Sequence, residues 1–276
     1  MSAGDGPDRP GAAGGAVRRQ LRGLRIGALV VLLLLVGAWA VERSLRRSGR
    51  TAWTRPVEVG LVLLSPAGDA DEDAWRRGAA ALQSRLASEM ARWRGPGMEP
   101  FLLTVVGPVR WGGTLPLLPE GDGILDRAAH AVRVWRTLRE VDRAAGGGTR
   151  GFDVQVLVLC VPTASGPEAS AEGSAALRGE VALVRATCTG DLSLPLQAVG
   201  HEILHAVGAT DKYDAAGHAR TPEGLAEPGR SPPYPQDHAE WMVGEVPVAP
   251  GRGRLPASLE EMRVGPATAR EIGWAR

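Results

Sequence analysis

"HEILHAVGATDKYD", residues 201–214, gathers two of the chain's five histidines, three acids and a glycine into fourteen positions. His201 and His205 are four residues apart, so on a helix both imidazoles project from one face, about one turn from each other. That spacing suits chelation of one small ion by two neutral imidazoles, with zinc–nitrogen distances of about 2.0–2.1 Å. Glu202, beside the first imidazole, is placed to accept a proton from a water on the metal rather than to bind the metal itself. Leu196, Val199, Ile203 and Val207 recur at helical spacing upstream and through the stretch and should face the core, on a different stripe from the histidines. The competing reading is a polar helix face with no metal.

A catalytic zinc needs a third protein ligand and an open position. Gly208 is placed to end the helix in a left-handed turn that swings the chain back towards the ion. Asp211, three residues on, is then the natural third ligand; the alternative is a turn or capping residue before Lys212. Taken together, His201, Glu202, His205, Gly208 and Asp211 spell HExxHxxGxxD, which resembles the motif of the metzincin clan of zinc endopeptidases. Most of that clan has histidine at the last position, and a smaller, snapalysin-like branch has aspartate. An anionic third ligand lowers the site's net charge, so water held there should be less acidic and catalysis should lean harder on Glu202.

The resemblance also implies a methionine in a tight turn beneath the metal. "HAEWMVGEVP" (238–247) offers Met242, thirty-one residues after Asp211, as that Met-turn, although its flanks depart from the commoner pattern; a core methionine is the alternative. Tyr213 and Tyr234, the chain's only tyrosines, are candidates to steady the oxyanion of a tetrahedral intermediate. Otherwise they are ordinary packed residues. His218, His238, Asp214 and Glu223 are alternative third ligands. Glu223 would need a second helix, which Pro222, Gly224 and Pro228 oppose. His130 lies far from the cluster in sequence. Cys160 and Cys188 each end an expected strand, so they either form a disulfide across neighbouring strands or stay as two buried thiols. Their apolar, β-rich flanks disfavour a catalytic cysteine.

Around this stretch the chain alternates strand and helix. "VEVGLVLLSP" (57–66), "FLLTVVGPV" (101–109) and "FDVQVLVLCVP" (152–162) read as strands, the last apolar enough to be central. "GEVALVRATC" (179–188) alternates in part, which suits an edge strand able to hold an extended peptide by strand addition. Helices are expected over 71–95, 123–145, 192–208 and 258–274, with a Pro/Gly-rich loop over 209–250. This order points to an α/β domain of α+β, zincin-like character. It has a mixed twisted sheet with an antiparallel edge strand, a site-bearing helix, a Met-turn and a closing helix.

The first residues form a separate unit. Residues 1–25 read as a disordered basic arm. "IGALVVLLLLVGAWAV" (26–41) is then uncharged throughout and flanked by arginines on both sides. Its lack of a polar face excludes a buried core helix. An uncleaved signal anchor and a cleaved signal peptide, ending at Ala38-Trp39-Ala40, both remain open; Trp39 and the long arm favour the anchor. Residues 42–56 read as a linker and 57–276 as the catalytic domain. The arrangement is that of a single-pass cell-membrane protein, its domain outside the cytoplasm and its source bacterial. A net charge of +1 gives no reason to expect nucleic acid. The sequence therefore reads as a membrane-anchored zinc metallopeptidase acting on a peptide or protein substrate with one Zn2+ ion. The alternative is a zinc-binding, non-hydrolytic scaffold of the same fold.

Overall fold

The computed structural model describes residues 49–117, 121, 123–161, 171–175 and 179–276, with some of residues 25–44. The chain divides into two units, Met1–Ser48 and Gly49–Arg276. The basic arm lies outside the described residues up to residue 24, and the run 26–41 is described only in part. Among the described residues no helix is long and apolar enough to cross a membrane.

The larger unit is built on a five-stranded sheet in the order β2-β1-β3-β5-β4. Its strands are β1 (Val57–Ser65), β2 (Phe101–Arg110), β3 (Val154–Val161), β4 (Glu172–Ala175) and β5 (Val181–Thr187). β1 pairs in parallel with β2 and β3, and β3 pairs in parallel with β5; only β4 runs antiparallel, against β5. The near-continuous apolar runs of β1 and β3 follow from burial on both faces. Along β1, Val59, Leu61 and Leu63 join one core, while Val62 and Leu64 join the other.

Helices α1 (Glu72–Arg94) and α3 (Ser193–Ala206) contribute to the larger core, and α2 (Ile124–Ala144) to the smaller one. Asp71 caps α1 by accepting from the Ala74 amide at 2.9 Å. Buried Glu89 of α1 pairs with Arg85 and Arg92 and accepts from the Val264 amide at 2.9 Å, tying the helix to the C-terminal segment. Leu196, Val199, Ile203 and Val207 are all buried, as their spacing requires.

Three expectations change. The 179–188 segment is not an edge: β5 is covered on its outer side by β4, with Glu172 opposite Arg185 and Ala175 opposite Ala182. Among the described residues β4 is the outermost strand on that side, so strand addition at 180–187 is blocked. The stretch 258–274 is not one helix. It divides into a 3-10 turn (Leu259–Glu261), β9 (Met262–Arg263) and α4 (Pro266–Glu271), because Gly265 and Pro266 start a new helix rather than continue one. The 209–250 loop holds β6 (Ala239–Glu240), which pairs with β9, and β7 (Val246–Ala249), which forms a hairpin with β8 (Arg252–Arg254).

The compact unit also starts earlier than 57. Trp53 is buried, packs edge-on against Phe101 and Trp274, and donates to the Ile272 carbonyl at 2.7 Å. Cys160 and Cys188 form a disulfide, joining the C-terminal end of β3 to the segment that enters α3.

Candidate metal centre

The last two turns of α3 present His201 and His205, their rings 4.6 Å apart. The helix stops at Ala206, and Gly208 takes φ 110°, a value that L side chains rarely adopt. The chain then doubles back, and Asp211 Oδ1 comes to 3.2 Å from His201 Nε2 and 3.1 Å from His205 Nε2. The three groups together can hold a metal ion, their ligand atoms all lying within 4.8 Å of one another. No other such group occurs among the described residues.

The second nitrogens decide what this cluster wants. His201 Nδ1 lies 3.1 Å from the Trp241 carbonyl, and His205 Nδ1 lies 2.8 Å from the Ala209 carbonyl. A carbonyl only accepts, so both Nδ1 atoms carry protons and both Nε2 atoms, in neutral imidazoles, present lone pairs. Asp211 Oδ1 is buried and has no well-aligned hydrogen bond, short as its distances to the imidazoles are. Two nitrogen lone pairs and a carboxylate oxygen thus face one another, a donor set that a divalent cation satisfies. Without a cation, burial works to raise the Asp211 carboxyl, but His201 and His205 outweigh it and hold it below the ordinary carboxylate range. Burial likewise opposes a charge on His205, and Asp211 and the Ala209 carbonyl overcome it, so that the His205 pKa rises.

Glu202 is buried beside this group. Burial raises its carboxyl, His201 and His205 work to lower it, and Asp211 adds to the rise. Its Oε2 has no hydrogen-bond partner in the protein. β4 lies against it, since a Cβ built on Gly173 would fall 2.2 Å from Glu202 Oε1. A hollow of about 220 Å³ opens here, lined by Gly173, Gln197, His201, Glu202, Tyr213 and Trp241 among others. A larger hollow, about 500 Å³ between α1 and β2, contains no such cluster and is unconnected with the chemistry.

Tyr213 reaches the site. Burial and the negative charge of nearby Asp211 raise its phenol. Tyr234 instead bonds Thr221, with 2.6 Å between the hydroxyls. Met242 is fully buried in the turn after β6, and its carbonyl accepts from the Lys212 amide at 3.0 Å. Of the other candidate ligands, His218 lies 3.5 Å from Glu245, His238 lies 3.2 Å from Glu227, Asp214 accepts from the Ala216 and His218 amides, and Glu223 is exposed in the turn 221–224. His130 sits half-buried on α2.

Two supports lay beyond sequence reasoning. Lys212, the sole lysine, is buried, and its Nζ donates to the Thr210 carbonyl and hydroxyl and pairs with Glu271 at 2.7 Å. Together with Arg220, which donates to the Asp211 carbonyl, it fixes the turn that carries the third donor. Fully buried Glu240 accepts from the Met242 and Gly265 amides, so it holds the turn whose Trp241 carbonyl orients His201. A lone lysine and an acid between Ala239 and Trp241 are the only hints of these roles in the sequence. No protein-family model matches the chain, and no curated protein matches it.

Proposed function

We propose that the protein is a zinc metallopeptidase of the metzincin type with aspartate as third ligand, hydrolysing peptide bonds in a peptide or protein substrate. The observation that carries this reading is the meeting of His201 Nε2, His205 Nε2 and Asp211 Oδ1 beside the unpartnered, buried Oε2 of Glu202, in a cleft open to a substrate. A zinc ion bound by these three side chains would polarise both a water molecule and the scissile carbonyl. Glu202 would take the water's proton on Oε2 and hand it to the leaving amine. Tyr213 stands where it can donate to the developing oxyanion. β4, outermost on its side among the described residues and bearing Gly173 against Glu202, is suited to hold the peptide extended. His201 and His205 keep their Nε2 atoms aimed by donating from Nδ1, and Met242 serves as the buried floor, not a ligand.

The apolar run of residues 26–41 is read as a signal anchor that places this domain outside the cytoplasm; the Cys160–Cys188 disulfide agrees with an oxidising compartment. Glu202→Gln tests the mechanism. The variant should fold, retain zinc and lose hydrolysis of a peptide mixture by about 10²–10⁴-fold. Retained turnover rejects Glu202 as the base, and a wild type that holds zinc yet cleaves nothing supports the non-hydrolytic scaffold.

A further inference from the structure

We infer that the outward face of α2 docks the domain on an anionic membrane surface, through contacts that no catalytic residue makes. α2 carries two apolar stripes. Val134, Leu138 and Val141 pack into the smaller core. On the adjoining, outward arc Ile124 is 86% exposed, Leu125 83%, Val132 48% and Trp135 54%. Ala128 and Ala131 are exposed between them, and at 100° per residue all six share one face. From Ile124 to Val132 none of the residues is buried, so among the described residues nothing covers this half of the helix. A contiguous apolar patch of this kind marks an interaction site rather than ordinary surface.

Charge selects the occupant. Helical spacing puts the exposed Arg127 and Arg136 beside the two borders of the stripe, and the exposed Arg139 and Arg143 in its sector beyond Trp135. Of the acids on α2, Asp126 accepts from the Gly123 amide and Asp142 is bonded to Thr149 and Arg150, both being satisfied within the domain. Glu140, also exposed, lies about 40° beyond Arg136 at one border of the stripe. The Arg139 guanidinium lies 4.6 Å from the Trp135 ring centroid, and a hollow of about 400 Å³ lined by Trp135, Arg139 and Arg150 lies alongside. A partner helix would call for mixed charge at the rim. With four exposed arginines against Glu140, the rim around leucine, isoleucine and tryptophan is strongly net positive and matches phosphate headgroups above acyl chains. The arginine-flanked apolar run 26–41 would supply the same bilayer.

The test uses the full chain in nanodiscs of brominated phosphatidylcholine with or without phosphatidylglycerol. The share of tryptophan emission due to Trp135 is taken as the difference between wild type and Trp135→Phe. That share should be quenched several-fold more with phosphatidylglycerol than without it. The quenching should weaken at high salt and be lost in Ile124→Glu/Leu125→Glu, which alters only exposed side chains and leaves cleavage of a soluble peptide unchanged. If the chain does not enter discs, vesicles of the same lipids are used, with the same expectation. An unquenched Trp135 share in anionic lipid overturns the inference, including the case of a blue-shifted emission that places Trp135 against protein. Loss of zinc or of hydrolysis, which would sink the peptidase reading, leaves this quenching untouched.

Discussion

Gly173→Ala probes the contact between β4 and Glu202. An added Cβ would stand 2.2 Å from Glu202 Oε1 and 2.8 Å from its Cδ and Cγ, whereas ordinary contact begins near 3.4 Å. The two groups must therefore separate by about 1.2 Å at the closest point. Glu202 is buried, so its carboxyl cannot swing into solvent and has to slide along the cleft. A misplacement of about 1 Å in a group that moves a proton costs on the order of 10²-fold, or about 2.7 kcal/mol of transition-state stabilisation. None of the three atoms nearest the added Cβ belongs to His201, His205 or Asp211. The variant should therefore bind zinc like wild type while kcat for a peptide substrate falls about a hundredfold. Steady-state kinetics on the zinc-loaded protein, with elemental analysis of the same sample, measures both. A kcat within threefold of wild type at full zinc content would refute the reasoning, as would a change confined to KM, since that would mean β4 had yielded instead of Glu202.

Asp211→Ala should leave the fold intact yet weaken zinc affinity by at least a hundredfold in a chelator competition; unchanged affinity moves the third ligand elsewhere. Glu271→Gln tests the brace behind Asp211. Burial pushes the Glu271 carboxyl up, but Lys212 and Thr210 overcome it and lower its pKa. A depressed native pKa contributes stability above the unfolded value of 4.5 and loses it as the pH falls through the native one. The variant should therefore melt below wild type at neutral pH, by about 2–3 kcal/mol because it strips buried Lys212 of its countercharge. That gap should narrow as the pH falls below 4.5 and vanish once it has passed below the depressed native value, and a gap independent of pH contradicts the ion pair. Replacing both Cys160 and Cys188 by alanine opens a cross-link between residues 28 apart in sequence. Chain entropy then forecasts a loss of about 3–4 kcal/mol and roughly 10 °C in Tm by calorimetry, and an unaltered Tm removes the disulfide from the account.

The sequence exposes most clearly what is local. Helical spacing of Leu196, Val199, Ile203 and Val207 against His201 and His205 defines α3 and its two faces, and the apolar runs of β1 and β3 follow from burial on both sides. Gly208 marks the reversal to Asp211 because only its backbone takes that φ cheaply. What stayed hidden depends on distant pairing. β4 is "EGSA", with no β-branched residue and no alternation, and it exists because β5 offers it a ladder. β6 and β9 are two residues each and meet across more than twenty positions of chain. The charged run at 260–263 imitates a helix, and only Gly265–Pro266 and the pairing of Met262 with Ala239 break it. Lys212 and Glu271 lie 59 residues apart, so no local pattern could join them. The same holds for Trp53, which joins the core through Phe101 and Trp274 although it lies in what composition marks as a linker.

The central claim is that His201, His205 and Asp211 hold one zinc ion. Elemental analysis of the purified full-length chain, beside His201→Ala and Asp211→Ala prepared identically, measures this directly. The account requires about one zinc per wild-type chain and little in either variant. A correctly folded wild-type protein that contains no zinc and takes up none on addition would contradict it.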